Sequence, residues 1–214
     1  MCIRDRHREE LGIPSDAFVV GWVARPSWEK RLDILADVIA RLQDEDVELR
    51  VLMVGRDPET PEQKESFRKF LRSVDEAGAE GAIIRRGFVR DVSAEFAIMD
   101  ALVQTSDWEG LPNVVIEAGA MEVPAVATNA GGTGDIIEHR VSGWLVETGD
   151  VDGLVEGLLH VHQNREVAAA WGREARRRAE KLFSQDALIR NMTALYARLL
   201  RGRGYALPEG LGRE

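Results

Sequence analysis

Short β-branched and apolar runs alternate with segments striped at helical spacing, and no other feature restricts the fold as much. Residues 17–24 form the first apolar run, after the turn Pro14-Ser15-Asp16. The run reads as a buried strand. Leu32, Leu35, Ala36, Ile39 and Leu42 then repeat at helical spacing, and Ser27 stands as a candidate cap before them. Strands are expected at 47–54, 82–89, 101–105, 124–128 and 144–146, with helices at 62–77, 92–98 and 112–121 between them. Such alternation implies βαβ units and a parallel sheet with helices packed on its faces. Ligands of such sheets bind outside the carboxyl ends of the strands. Arg25, Gly55, Val89, Thr105 and Asn129 all follow directly on those ends, so the sequence converges on one crevice. From Asp150 the pattern changes to three helices, striped by Leu154, Leu158 and Leu159, by Trp171, Ala175, Ala179 and Leu182, and by Leu188, Met192, Leu195 and Leu199.

Charge and cysteine usage remove whole classes of function. The net charge of −9 argues against a general nucleic-acid or anionic-membrane binder, so an anionic ligand would need a local basic site. The single cysteine, Cys2, excludes a disulfide framework and a thiolate metal site. No apolar run approaches the roughly 18 residues of a membrane span, and residues 1–8 lack the apolar core of a signal peptide. A cytoplasmic location is expected.

The chemistry concentrates in Asp107-Trp108-Glu109-Gly110-Leu111-Pro112-Asn113-Val114-Val115-Ile116-Glu117-Ala118. Pro112 suits the first helical position, because its ring presets φ and its absent N–H would have no partner there. The free amides at the helix start, from Asn113 onward, favour an anion. Glu117 lies on the face of Asn113 by i,i+4 spacing, and Glu109 comes from the preceding loop. Amides take phosphates and carboxylates accept from hydroxyls, so a nucleotide-sugar fits. Gly110, Leu111, Pro112 and Asn113 would surround its phosphates and sugar; Pro112 has no amide hydrogen to give. The apolar neighbours Val114, Val115, Ile116 and Ala118 point to a buried Glu117, which would need a ligand or an internal partner. Arg25 and Lys30 stand five apart across a strand-to-helix loop. As fixed cations they would neutralise a departing pyrophosphate more in the transition state than in the ground state; the plain alternative is a pair of solvated charges.

Glu109 to Glu117 resembles the E-x(7)-E motif of the retaining glycosyltransferases of family four, which have the GT-B fold. The resemblance extends to Gly21-Trp22-Val23-Ala24-Arg25 with Glu29-Lys30, to Val123–Gly132, and to Gly143-Trp144-Leu145-Val146, covering residues 10 to 200 in the family's order. It implies one GT-B half: a Rossmann-like parallel sheet with helices on both faces and extra C-terminal helices, binding a UDP- or GDP-hexose and passing the sugar to an acceptor hydroxyl with retention. By the same resemblance Glu109 lies near the donor sugar and contacts its hydroxyls, the reaction running either through Glu109 as nucleophile or by front-face attack with no covalent intermediate, and Glu117 holds the ribose hydroxyls. Phe88 and Val89 lie where main chain meets the nucleobase, or are simply core. No metal or other cofactor is implied. The acceptor site and a catalytic histidine would belong to an N-terminal domain absent from this chain, leaving it able to bind donor but slow or inactive alone. Gly131-Gly132-Thr133-Gly134-Asp135 departs from the family's Gly-Gly-x-Pro-Glu, loosening the loop and shortening a carboxylate.

Met1-Cys2-Ile3-Arg4-Asp5-Arg6 resembles a translated sequencing-adapter sequence of the kind found on metagenomic fragments. Residues 1–8 are therefore expected to stand outside the fold, 9–200 to form the domain, and 201–214 to be a loose tail. Asp44-Glu45-Asp46 and Asp150-Val151-Asp152 match a D-x-D metal motif but read more simply as a helix end and a helix cap. The arginines from Arg173 to Arg178 read as a solvated face rather than a nucleic-acid site, with weak contact to anionic lipid at the inner face of the membrane left open. No GxGxxG follows the first strand, which disfavours a dinucleotide site. Three rivals remain: a non-catalytic nucleotide-sugar binding module, a GT-B phosphorylase or epimerase half, and a structural domain with an empty crevice.

Overall fold

The computed structural model describes residues 3–45 and 47–205. In chain order the elements are α1 (Ile3–Glu10), β1 (Phe18–Val23), a 3-10 turn (Trp28–Lys30), α2 (Leu32–Gln43), β2 (Leu49–Val54), α3 (Pro61–Glu76), a second 3-10 turn (Glu80–Ala82) and β3 (Ile83–Gly87). They continue with α4 (Ser93–Ile98), β4 (Ala101–Gln104), α5 (Asn113–Ala120), β5 (Ala125–Thr128), α6 (Thr133–Ile136), β6 (Gly143–Val146), α7 (Val151–Gln163), α8 (Arg165–Leu182) and α9 (Gln185–Gly202). The strands form one sheet in the order β3-β2-β1-β4-β5-β6, with every neighbouring pair parallel. The expected α/β class holds.

The alternation of a strand separates two cores. Phe18, Val20 and Trp22 of β1 point to one face, where Leu35, Ile39, Phe70, Leu154 and Leu158 cover them. Val19, between them, points to the other, with Leu52, Phe96, Ile98, Val115 and Ala118. Local signals agree with the elements. Thr60 caps α3 in a capping box with Gln63, and Pro61 opens the helix.

Three expectations need correction. Residues 3–8 do not stand outside the fold: they form most of α1, and Arg8 is buried, donating to the carbonyls of Ile98 (2.7 Å) and Ala17 (3.2 Å) and to the Asp100 carboxylate (3.0 Å). Pro112 is the N-cap of α5, not its first helical residue, because its ψ of 98° is extended. Ser27 does not cap α2; its hydroxyl donates to Glu29 (2.6 Å), and α2 starts after Arg31. At the C-terminal end α9 buries Ala187 and Ala197 while Leu188, Met192, Leu195 and Leu199 of its apolar stripe stay exposed. The tail expected over 201–214 overlaps the end of α9, and from 206 it lies outside the described residues.

Candidate functional site

The strand order reverses between β1 and β4, which makes their carboxyl ends the switch point of the sheet. Chain leaving one strand turns to one side and chain leaving the other turns away, opening a crevice between the loops. The loop after β1 carries Arg25, Lys30 and Arg31; the loop after β4 carries residues 105–112. Cross-links tie the two loops. The Thr105 hydroxyl donates to the Lys30 carbonyl (2.7 Å) and the Asp107 amide to the Glu29 carbonyl (2.9 Å). Lys30 Nζ donates to Glu109 Oε1 at 2.5 Å, and the buried Ser106 hydroxyl donates to the same oxygen at 2.7 Å. The Glu109 side chain is 12% exposed, so water screens this ion pair poorly.

Two of the three residues expected to act in catalysis, Lys30 and Glu109, therefore meet directly. The third, Arg25, is exposed, and its guanidinium makes no hydrogen bond or ion pair among the described residues. Its field reaches Glu29. Burial alone would raise the Glu29 carboxyl, but the Ser27 hydroxyl, the backbone and the charges of Lys30 and Arg25 hold it below the ordinary range.

The loop after β5 forms the base of the site. A Cβ on Gly131 (φ 54°) would stand 1.8 Å from the Glu109 carbonyl oxygen, and one on Gly132 would stand 2.6 Å from that of Gly110. The Gly132 amide donates to the latter oxygen at 2.8 Å. Only glycines let this loop press against the Glu109–Gly110 backbone. The departure at Gly134 and Asp135 leaves this contact intact; the Asp135 side is exposed, and its carbonyl accepts from Arg178.

Helix α5 closes the crevice. The amides of Asn113 and Val114 have no acceptor among the described residues, whereas that of Val115 already donates to the Pro112 carbonyl (3.0 Å). Gly110, Leu111 and Asn113 are exposed there and Pro112 is buried. Glu117 corrects an expectation, since it is exposed rather than buried and its carboxylate has no hydrogen-bond or ion-pair partner among the described residues. Partial desolvation against the protein surface still raises its carboxyl. Val89 follows β3 and packs into the core, leaving Phe88 exposed on the rim with the Arg56 guanidinium 4.6 Å over its ring. Trp28 and Trp108 stand exposed on the two tied loops.

Several residues at the site escaped the sequence reading. Ser106, Arg31 and Asp107 have no motif of their own; Ser106 acts through Glu109 three residues on, while Arg31 and Asp107 meet across 76 residues. Gln104, at the end of β4, is buried; its amide nitrogen donates to Thr133 (3.3 Å) and its oxygen has no hydrogen-bond partner among the described residues. Asp150 caps α7 through the Gly153 amide (2.9 Å) and Asp152 pairs with Arg41; Asp46 lies outside the described residues. No cluster of three or more His, Cys, Asp or Glu placed to hold a metal occurs among the described residues. The arginine face of α8 is compensated, with Arg176 paired to Glu180, Arg177 to Glu174 and Arg178 to Glu138. No described helix is long and apolar enough to cross a membrane.

A six-stranded parallel sheet, helices on both faces and loops converging at the switch point match the architecture of one half of a GT-B fold. The profile of the family "Glycosyl transferases group 1" matches residues 3–178, and the chain belongs to that family. It is 25% identical over 194 residues to the N-acetyl-alpha-D-glucosaminyl L-malate synthase of Bacillus anthracis, covering 91% of this chain and 49% of that protein. It is 31% identical over 180 residues to the sulfoquinovosyl transferase of Arabidopsis thaliana, covering 82% of this chain and 32% of the relative. In structure it resembles Anabaena Alr3699/HepE, crystallised in complex with UDP (TM-score 0.83, 23% identity, 92% of this chain and 52% of that one). The chain thus spans about half the length of these proteins, or less.

Proposed function

We propose that this chain is the donor-binding domain of a retaining hexosyltransferase of family four, which moves a hexose from a UDP- or GDP-sugar to an acceptor hydroxyl. The observation that carries this reading is the convergence of the Lys30–Glu109 pair and the open end of α5 on the switch point. In the reaction the bond between the sugar and the pyrophosphate breaks, and negative charge collects on the leaving phosphate. Lys30, Arg25 and the amides at Asn113 and Val114 neutralise that charge, so no metal is required. Glu109 sits at the donor sugar and Glu117 takes the ribose hydroxyls, which gives its unpartnered carboxylate a use. The main chain at Val89 borders the base. Complexes of Anabaena Alr3699/HepE with UDP and with UDP-glucose support a nucleotide-sugar as the ligand class. The acceptor belongs to an N-terminal half, so this chain alone binds donor and turns over slowly or not at all. The reading carries a cytoplasmic reaction, with no more than weak contact between the compensated arginine face of α8 and the membrane.

Thermal unfolding with UDP, GDP, ADP and their hexose conjugates tests the reading. A nucleotide at 100 times its dissociation constant should add about 2.7 kcal/mol of stability. One base should stabilise the chain, and Lys30→Ala should abolish the effect. Equal stabilisation of the Lys30→Ala variant would overturn the site assignment.

A further inference from the structure

We infer that Arg31 is a positioning residue, a strut that holds the Lys30 loop against the Glu109 loop so that the pair stays aligned when a phosphate competes for Lys30. The inference rests on the donor-binding reading above. Arg31 lies between the 3-10 turn and α2 with φ 47° and ψ 61°, a left-handed conformation that side chains other than glycine adopt at a cost. Its guanidinium spans two carboxylates. Nη1 donates to Asp107 Oδ1 and Oδ2 at 2.9 and 2.8 Å. Nε donates to Asp33 Oδ1 and Oδ2 at 2.9 and 3.1 Å, and Nη2 to Asp33 Oδ2 at 2.7 Å. Asp33 belongs to the first turn of α2, and Asp107 lies two residues before Glu109. The Arg31–Asp107 link therefore runs beside the Lys30–Glu109 link, one residue further along one loop and two residues back along the other.

The two links differ in what a ligand can take from them. Lys30 is a single ammonium that an incoming pyrophosphate will draw away from Glu109. Arg31 holds Asp33 as a fork through Nε and Nη2 and spends Nη1 on both oxygens of Asp107, a two-carboxylate commitment that a lone phosphate oxygen does not displace readily. Drawing Lys30 away would loosen the loops if the ion pair were their only charged tie. With Arg31 in place, Asp107 keeps its register and Glu109 stays at the crevice.

Glycine at this position separates the strut from folding. Arg31→Gly relieves the left-handed backbone and removes the guanidinium, so the midpoint of thermal unfolding should hold or rise while affinity for UDP falls about 10-fold by calorimetry. A merely structural arginine would make affinity follow stability. Arg31→Lys keeps the charge but has one nitrogen to share between Asp33 and Asp107, and should not restore affinity. Asp107→Asn should weaken binding alone, and adding it to Arg31→Gly should cost little more. Hydrogen exchange of the Asp107 amide gives an independent reading without nucleotide: it should speed up about 10-fold in Arg31→Gly with exchange in β1 and β4 unchanged. Wild-type UDP affinity in a folded Arg31→Gly variant, or an Asp107 amide exchanging at the wild-type rate, would overturn the inference. Failure of the unmodified chain to bind UDP or any other nucleotide would instead sink the donor reading, while the exchange measurement would still decide whether Arg31 ties the loops.

Discussion

Glu117 shows what a single residue does when its partner is a ligand. Its carboxyl is exposed yet raised by partial desolvation with no hydrogen bond in return, so the folded chain disfavours the charged form. A raised folded value means that ionisation opposes folding above the unfolded value of about 4.3 and has no effect below it. Glu117→Gln should therefore unfold at a slightly higher temperature than the wild type near pH 7, and the difference should vanish near pH 3.5. The same variant should bind UDP more weakly, because the ribose hydroxyls lose an ionised acceptor. Equal melting curves at both pH values would refute the first statement, and unchanged UDP affinity the second. Lys30 and Glu109 were singled out in the sequence, one by its strand-to-helix loop and the other by the spacing of the two glutamates, and the structure brings their side chains together. The exposure of Glu117 was not legible, since its apolar neighbours turn to the sheet while it turns out. Arg31 and Asp107 were invisible, because a link between residues 76 apart leaves no local pattern.

Among the elements, most of the sheet could be read from short continuous apolar runs, because strands covered on both faces are apolar throughout, and the helices from their stripes. The misses have separate causes. Helix α1 buries an arginine against carbonyls and has no apolar stripe to announce it. Pro112 fits either a cap or a first turn by composition, and only its ψ separates them. Helix α9 has a stripe that the sequence shows plainly, yet packing leaves it exposed. The placement of α5 depends on its neighbour α8. A Cβ on Gly172 of α8 would lie 2.1 Å from the Glu122 carbonyl just past α5, and one on Gly119 of α5 would lie 3.3 Å from Ala175. Gly172→Val should thus force the helices apart, lowering stability by about 1–3 kcal/mol in denaturant titration. It should weaken UDP binding as well, because the end of α5 moves with the helix body. A variant as stable as wild type would show that α8 does not set this position.

Across the whole molecule, charge is organised at two opposite ends of the sheet. The carboxyl ends carry the crevice. At the other edge Asp100 accepts from the Val19 amide (2.7 Å) and pairs with Arg4, Arg8 and Arg165, joining α1, β4 and α8. Burial alone would raise the Asp100 carboxyl, but the amide and the three arginines outweigh it and hold the group below the ordinary range. A lowered folded value contributes stability above the unfolded value of about 3.9, and that contribution is lost as pH falls through the folded value. Asp100→Asn leaves Arg8 buried without its counter-charge and should cost about 3 kcal/mol at pH 7, with the gap to wild type closing in acid. A gap independent of pH would contradict this account.

The central claim is the location of the donor site, and amide NMR of the 15N-labelled chain titrated with UDP tests it most directly. The account predicts saturable shifts at Lys30, Gly110, Asn113, Val114 and Glu117, with the Arg4–Arg8–Asp100 edge unmoved. Shifts confined to that opposite edge, or a folded chain with none at the α5 end, would contradict it.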